Sequence, residues 1–242
     1  MKTQLLLTGV SVLCAGVGSA QVYDFGTLVH GEVVANQFAP DLVVSGTNPN
    51  RAFDIIAAFD TTEMNTSDPD LQGPPWSGGN LAVSATEVVI GNALIIAENN
   101  TDANNDGVLD DPDDEISRPS GTIDLSFATS VPVFGLDIID IEGVVEEESS
   151  LDFYSNGNIV GTVNFTAFTD NVSAYFDPSV QFGNNHANRI QPIPAADFGV
   201  LGFDRVVINV GGSSAYDTFV VPSPSSAVLL SAGLLLGIRK RR

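Results

Sequence analysis

Apolar and polar residues alternate in short runs along most of this chain. Such runs, rich in Val, Ile and Phe and broken by Gly, Asn, Asp or Pro, predict β-strands with one buried face. They cover 22–29, 41–45, 52–59, 88–97, 122–127, 133–139, 151–154, 159–165, 172–176, 205–210 and 215–221. Sustained helical periodicity is missing between them. The pattern predicts an all-β fold, a jelly-roll-like two-sheet β-sandwich. Three stretches read as loops: 61–80, 98–121 and 182–194. Long loops on a rigid sandwich are where binding sites concentrate.

The two ends break the alternation. Lys2, an apolar run over 5–17 and the small residues Gly18-Ser19-Ala20 predict a secretory signal helix, cut before Gln21 by signal peptidase. Cys14, the only cysteine, lies inside it, and Leu13 stands where lipidation needs a small residue. The mature chain therefore uses no disulfide. At the other end, Pro222-Ser223-Pro224 leads into an apolar run over 227–238 and then Arg239-Lys240-Arg241-Arg242. Twelve apolar residues at ~1.5 Å each make a short hydrophobic helix of roughly 18 Å, below the ~30 Å of a bilayer core. Its apolar part enters the membrane and its basic end stays on the cytoplasmic side. The chain thus divides into a signal (1–20), an acidic β-sandwich (21–220) and a terminal segment (221–242).

That terminal order resembles the PEP-CTERM sorting segment of exported bacterial proteins. The resemblance rests on Pro222, Pro224, the apolar run and the cluster Arg239, Lys240, Arg241 and Arg242; Ser223 replaces the name-giving Glu. It implies recognition by an exosortase-like processing enzyme and delivery to the cell surface or extracellular matrix. An ordinary C-terminal membrane anchor is the other reading of these residues. Roughly residues 50–220 also resemble secreted proteins that often carry this tail, through Phe59-Asp60-Thr61, Asp68-Pro69-Asp70-Leu71, 91–98, Asp111-Pro112-Asp113-Asp114, Gly121-Thr122-Ile123, 135–140 and Tyr216-Asp217. This second resemblance implies a β-sandwich and no particular activity.

Charge narrows the partners. The chain carries 30 acids and 9 bases, for a net charge of −21. Lys2 and four tail residues account for five of the bases, so the body between them holds 4 − 30 = −26. Such a body repels nucleic acid and anionic lipid and attracts cations.

The densest acidic stretch contains Asp102-Ala103-Asn104-Asn105-Asp106-Gly107-Val108-Leu109-Asp110 and then Asp113. Calcium takes six to eight oxygens, and a D-x-[DN]-x-[DN]-G loop gathers them around a sharp glycine turn. The spacing predicts ligands from Asp102, Asn104, Asp106, the Val108 carbonyl, Asp110 and Asp113. Pro112 and Pro119 leave no room for a following EF-hand helix. A solvated acidic tether is the alternative. A second candidate metal group, by fold analogy with calcium-holding jelly rolls, is Asp60, Asp68, Asp70, Asp140 and Asp217, with Asp137 and Glu142 nearby in the pattern. Glu146-Glu147-Glu148 reads as a solvated hairpin tip.

Catalytic signatures are sparse. Cysteine leaves with the signal, His30 and His186 stand alone, and no G-x-S-x-G elbow occurs. Trp76, the single tryptophan, follows Gly73-Pro74-Pro75 and is the candidate for stacking on extracellular polysaccharide. The expectation is a non-enzymatic surface or matrix protein that is stabilised by calcium and binds polysaccharide. The alternative is a secreted polysaccharide hydrolase working through a carboxylate pair.

Overall fold

A computed structural model describes residues 20–82 and 88–222. Eleven strands form two antiparallel sheets. They are β1 (Ala20–Tyr23), β2 (Leu42–Thr47), β3 (Ile56–Asp60), β4 (Asn92–Ile96), β5 (Gly121–Val131), β6 (Val133–Ile139), β7 (Ser150–Ser155), β8 (Asn158–Asn164), β9 (Ala187–Pro194), β10 (Phe203–Val210) and β11 (Ala215–Pro222). The six-stranded sheet runs β3-β4-β11-β6-β9, with β1 also paired to β11. The five-stranded sheet runs β2-β5-β10-β7-β8. The only α-helix among the described residues is the single turn α1 (Val144–Glu147). The fold is the expected all-β two-sheet sandwich.

The alternation in the sequence faces the two sheets toward each other. Leu42, Val44, Ile123 and Leu125 point inward from the five-stranded sheet, and Ala58, Leu94, Leu136 and Ile138 meet them from the other. Phe134, Phe153 and Phe219 pack as a connected aromatic group within this core, with ring centroids 5.6 and 6.3 Å apart.

The six-stranded sheet is buried on its second face as well. Ala57, Phe59, Ala93, Ile95 and Ile139 form a separate apolar cluster with Leu71, Trp76, Leu81 and Leu109, which come from the loops that follow β3 and β4. Every residue of β4 is therefore buried, and its run reads as continuously apolar rather than alternating. Two loop segments, 61–82 and 98–120, make a third layer over the sandwich.

The edges of this sheet at β3 and β9 are covered. Along β3, the backbone of Gly31, Glu32 and Val34 exchanges hydrogen bonds with Ile56 and Ala58. Along β9, Leu81 donates to the Ala187 carbonyl and Ala187 to that of Gly78. The Asn80 side chain accepts from the Arg189 N–H at 2.7 Å and donates to its carbonyl at 3.0 Å. Farther along β9 stand Pro192 and Pro194.

Several expectations change. β9 occupies 187–194 of the stretch read as a loop over 182–194. Proline suits an edge strand, where a missing N–H breaks no ladder on the outer side. Conversely, 172–176 forms turns instead of a strand, and β1 ends at Tyr23. Glu147 is no solvated tip: it is buried, accepting from the Gly143 N–H at 3.1 Å and from Arg118 at 3.3 Å. The expected cut before Gln21 falls within β1, while the signal helix and the terminal apolar helix lie outside the described residues, as do Pro224 and Arg239–Arg242. Among the described residues, no helix is long and apolar enough to cross a membrane.

Candidate metal centre

The centre sits at one end of the six-stranded sheet, where β4 and β6 leave it and β9 and β11 enter. Asp114 bridges to Ala97 just beyond β4, and Asp140 follows β6. Ser213 and Ser214 immediately precede β11. Asp68 arrives from the loop after β3, at the start of a short 3-10 turn over Pro69–Leu71.

Asp68, Asp113 and Asp114 bring carboxylate oxygens within 4.8 Å of one another. Asp68 and Asp114 are 7% and 2% exposed, and Asp140 is 1% exposed. Asp114 accepts from the Ser214 N–H. The Ser213 hydroxyl lies 3.2 Å from one Asp114 oxygen and 3.1 Å from one Asp140 oxygen. It carries a single proton, so it satisfies only one of them at a time. Asp140 also accepts from the Asn185 N–H at 2.5 Å. The Asp68 Oδ2 is buried without any hydrogen-bond partner.

No positive charge answers these acids. Arg51 pairs with Glu98 and Glu115, Arg118 with Glu142 and Glu147, Arg189 with Asp137, and Arg205 with Asp124. Those are all four bases of the body. Burial lifts the Asp68 carboxyl above its ordinary range, with the neighbouring Asp70 charge adding to it. Burial and the facing Asp68 hold Asp114 well above its ordinary range. Burial raises Asp113 to about 6, helped by Asp68, Glu98 and Asp111. Asp140 is raised to about 7, first by burial, against the pull of Asn185 and Ser213 and with further push from Asp70 and Asp68. Burial is the largest cause in each case and neighbouring acids add to it, so ionising these groups together calls for a counter-charge. A hard divalent cation with oxygen ligands supplies one, and the donor set is carboxylate and hydroxyl oxygen with no sulfur or imidazole.

The acidic loop folds locally as its pattern predicts. Asp102 accepts from the Asp106 N–H at 3.2 Å and from the Gly107 N–H at 3.0 Å. Asn105 and Gly107 take φ values of 60° and 86°, which the turn requires. Leu109 is buried in the outer apolar cluster. However, the structure divides the predicted ligand set. Asp106 and Asp110 accept hydrogens of their own exposed loop, from Asn104 and Ala103. Asp113 instead joins Asp68 and Asp114. The Val108 residue bridges to Glu32, which ties the loop to the segment beside β3.

The second predicted group is also divided. Asp68, Asp70 and Asp140 share one electrostatic environment. Asp60 lies at the opposite end of β3, where its carboxylate accepts from Thr62 at 2.7 and 2.8 Å. Asp217 lies within β11, opposite Asp137. The members that residue reading missed are Asp114 and Ser213. The doublet Asp113-Asp114 was the available signal; only its first member fell on the calcium spacing.

Trp76 does not offer a stacking face. It is 5% exposed and its indole N–H donates to the Val88 carbonyl at 2.9 Å. The rigid Pro-rich loop presses the ring onto the sheet as part of the outer cluster.

No protein-family model matches the chain, and no curated protein does.

Proposed function

We propose that this chain is an exported, non-enzymatic β-sandwich protein of the cell surface or extracellular matrix, and that its acidic body is completed by bound calcium. One observation carries the cation reading: a buried, unpartnered Asp68 oxygen among three further acids, with every arginine of the body engaged elsewhere. The signal-like residues 1–20 and the Pro222/Pro224, apolar and basic order of 221–242 support export and sorting by an exosortase-like enzyme. Polysaccharide binding loses Trp76 as its support. A carboxylate-pair hydrolase draws no support from Asp68 and Asp114, since both are covered by the loop layer, beyond reach of a polymer.

Calcium titration tests the reading. An affinity of roughly 10⁻⁴–10⁻³ M suffices in a calcium-rich exterior. At ten times the Kd, mass action adds about 1.4 kcal/mol, which raises Tm by ~3–6 °C for a domain of this size. Magnesium, held to octahedral geometry, should give much less. Asp114→Asn should abolish most of the calcium rise, and Asp102→Ala should leave most of it. A wild-type melting curve indifferent to millimolar calcium, with no binding heat, rejects the cation.

A further inference from the structure

We infer that cation occupancy at this centre decides whether the third layer, residues 61–82 and 98–120, stays docked on the six-stranded sheet, while the two-sheet sandwich holds its fold without the ion. This inference rests on the cation reading above and adds to it a consequence for the structure.

The division of the core supports separate behaviour of the two parts. The main apolar core takes no buried residue from 61–82 or 98–120. The layer is held instead through four buried apolar side chains, Leu71, Trp76, Leu81 and Leu109, against a sheet face made of Ala57, Phe59, Ala93, Ile95 and Ile139. Apolar burial scales with area, so a layer anchored by four large side chains gains less than the larger core between the sheets.

The acids fall on the same boundary. Asp68 belongs to one layer segment, Asp113 and Asp114 belong to the other, and Asp140 belongs to the sheet. Their mutual repulsion therefore acts between the two segments and between the layer and the sandwich. The buried Asp68 Oδ2, without a donor of its own, leaves that repulsion unanswered in the absence of an ion. One cation bound by Asp68, Asp113 and Asp114 joins both segments at a single point and reverses the sign of the interaction. Regions held by few apolar contacts open at lower free energy than the global core.

Trp76 makes this measurable. It is the chain's only tryptophan and it belongs to the layer, buried in the outer cluster, so its emission reports docking. The full-length protein is to be stripped with a chelator and titrated with calcium chloride. Trp76 emission, far-UV circular dichroism and hydrogen exchange are followed together, with calorimetry for binding. The expected result on stripping is a red-shifted, quencher-accessible Trp76 and exchange about tenfold faster or more in 61–82 and 98–120. The β signal should persist, and calcium should reverse every change. The double variant Asp113→Asn/Asp114→Asn should keep Trp76 shielded in chelator, because the repelling charges are gone. If that variant does not fold, wild-type exchange decides alone. Calcium heat with unchanged Trp76 emission and exchange overturns this inference and leaves the cation reading standing. Joint loss of the Trp76 and β signals overturns the separation of layer and sandwich. Absence of calcium heat removes the cation reading itself.

Discussion

Asp217→Asn should leave stability nearly unchanged near pH 4 and raise it substantially at pH 8. Asp217 is 1% exposed and stands opposite Asp137 in the β11–β6 register. Its Oδ2 accepts from the Thr218 hydroxyl at 2.8 Å, and its Oδ1 has no partner. Burial raises its pKa from 3.8 to about 7, against the Thr218 hydrogen bonds and with a further push from Asp137. The folded protein thus binds this proton more tightly than the unfolded chain. Stability contributed by the neutral carboxyl is fully present below pH 3.8 and is lost as pH rises toward 7. The gap between 3.8 and about 7, at about 1.36 kcal/mol per pH unit, amounts to roughly 4 kcal/mol at pH 8. Asparagine keeps the acceptor for Thr218 and never ionises, so it removes this loss. Urea midpoints of both proteins between pH 4 and 8, at fixed calcium, measure the divergence. Two curves that run parallel across that range would refute the reasoning.

Arg189→Ala should be strongly destabilising at pH 8. Arg189 grips the buried Asp137 through two hydrogen bonds of 2.7 and 2.8 Å, and removing one partner of such a pair costs about 3–5 kcal/mol. The half-exposed guanidinium places the cost at the lower end, and it should shrink as pH falls, because burial raises the Asp137 carboxyl above its ordinary range; equilibrium unfolding across a pH series reads both. Intact-mass measurement on protein from its native host should show loss of residues 1–20 and of the segment after about Pro224. Residues Arg239–Arg242 still attached would reject the processing proposal.

The sandwich was legible because its strands bury one face, and a period of two survives in runs such as 122–127 and 205–210. β9 was not legible in Ala187–Pro194, because asparagine and proline in and before it signal turns locally. Its strand state comes from β6 on one side and from Asn80, far off in sequence, on the other. The candidate centre was half legible. Asp68, Asp70, Asp113 and Asp140 were named, yet in two separate groups, since spacing along the chain carries no information on which loops meet. Asp102 to Asp110 fit a local motif and do fold locally. Asp113 departs from it because the loop returns to the sheet beside Asp68. Trp76 and Glu147 show the same limit: an exposed-looking local context says nothing of the distant segments that bury a side chain.

The covered edges of the six-stranded sheet bear on how copies of this protein meet one another. A free strand edge templates the addition of another chain. Here the edge at β3 is occupied by residues 31–34. The edge at β9 is occupied by residues 78–81 and then denied donors by Pro192 and Pro194. Strand addition is blocked at both of these edges. Among the described strands, any lateral stacking of copies is therefore left to β1, which pairs with β11 alone, and to β2 and β8, the outer strands of the five-stranded sheet.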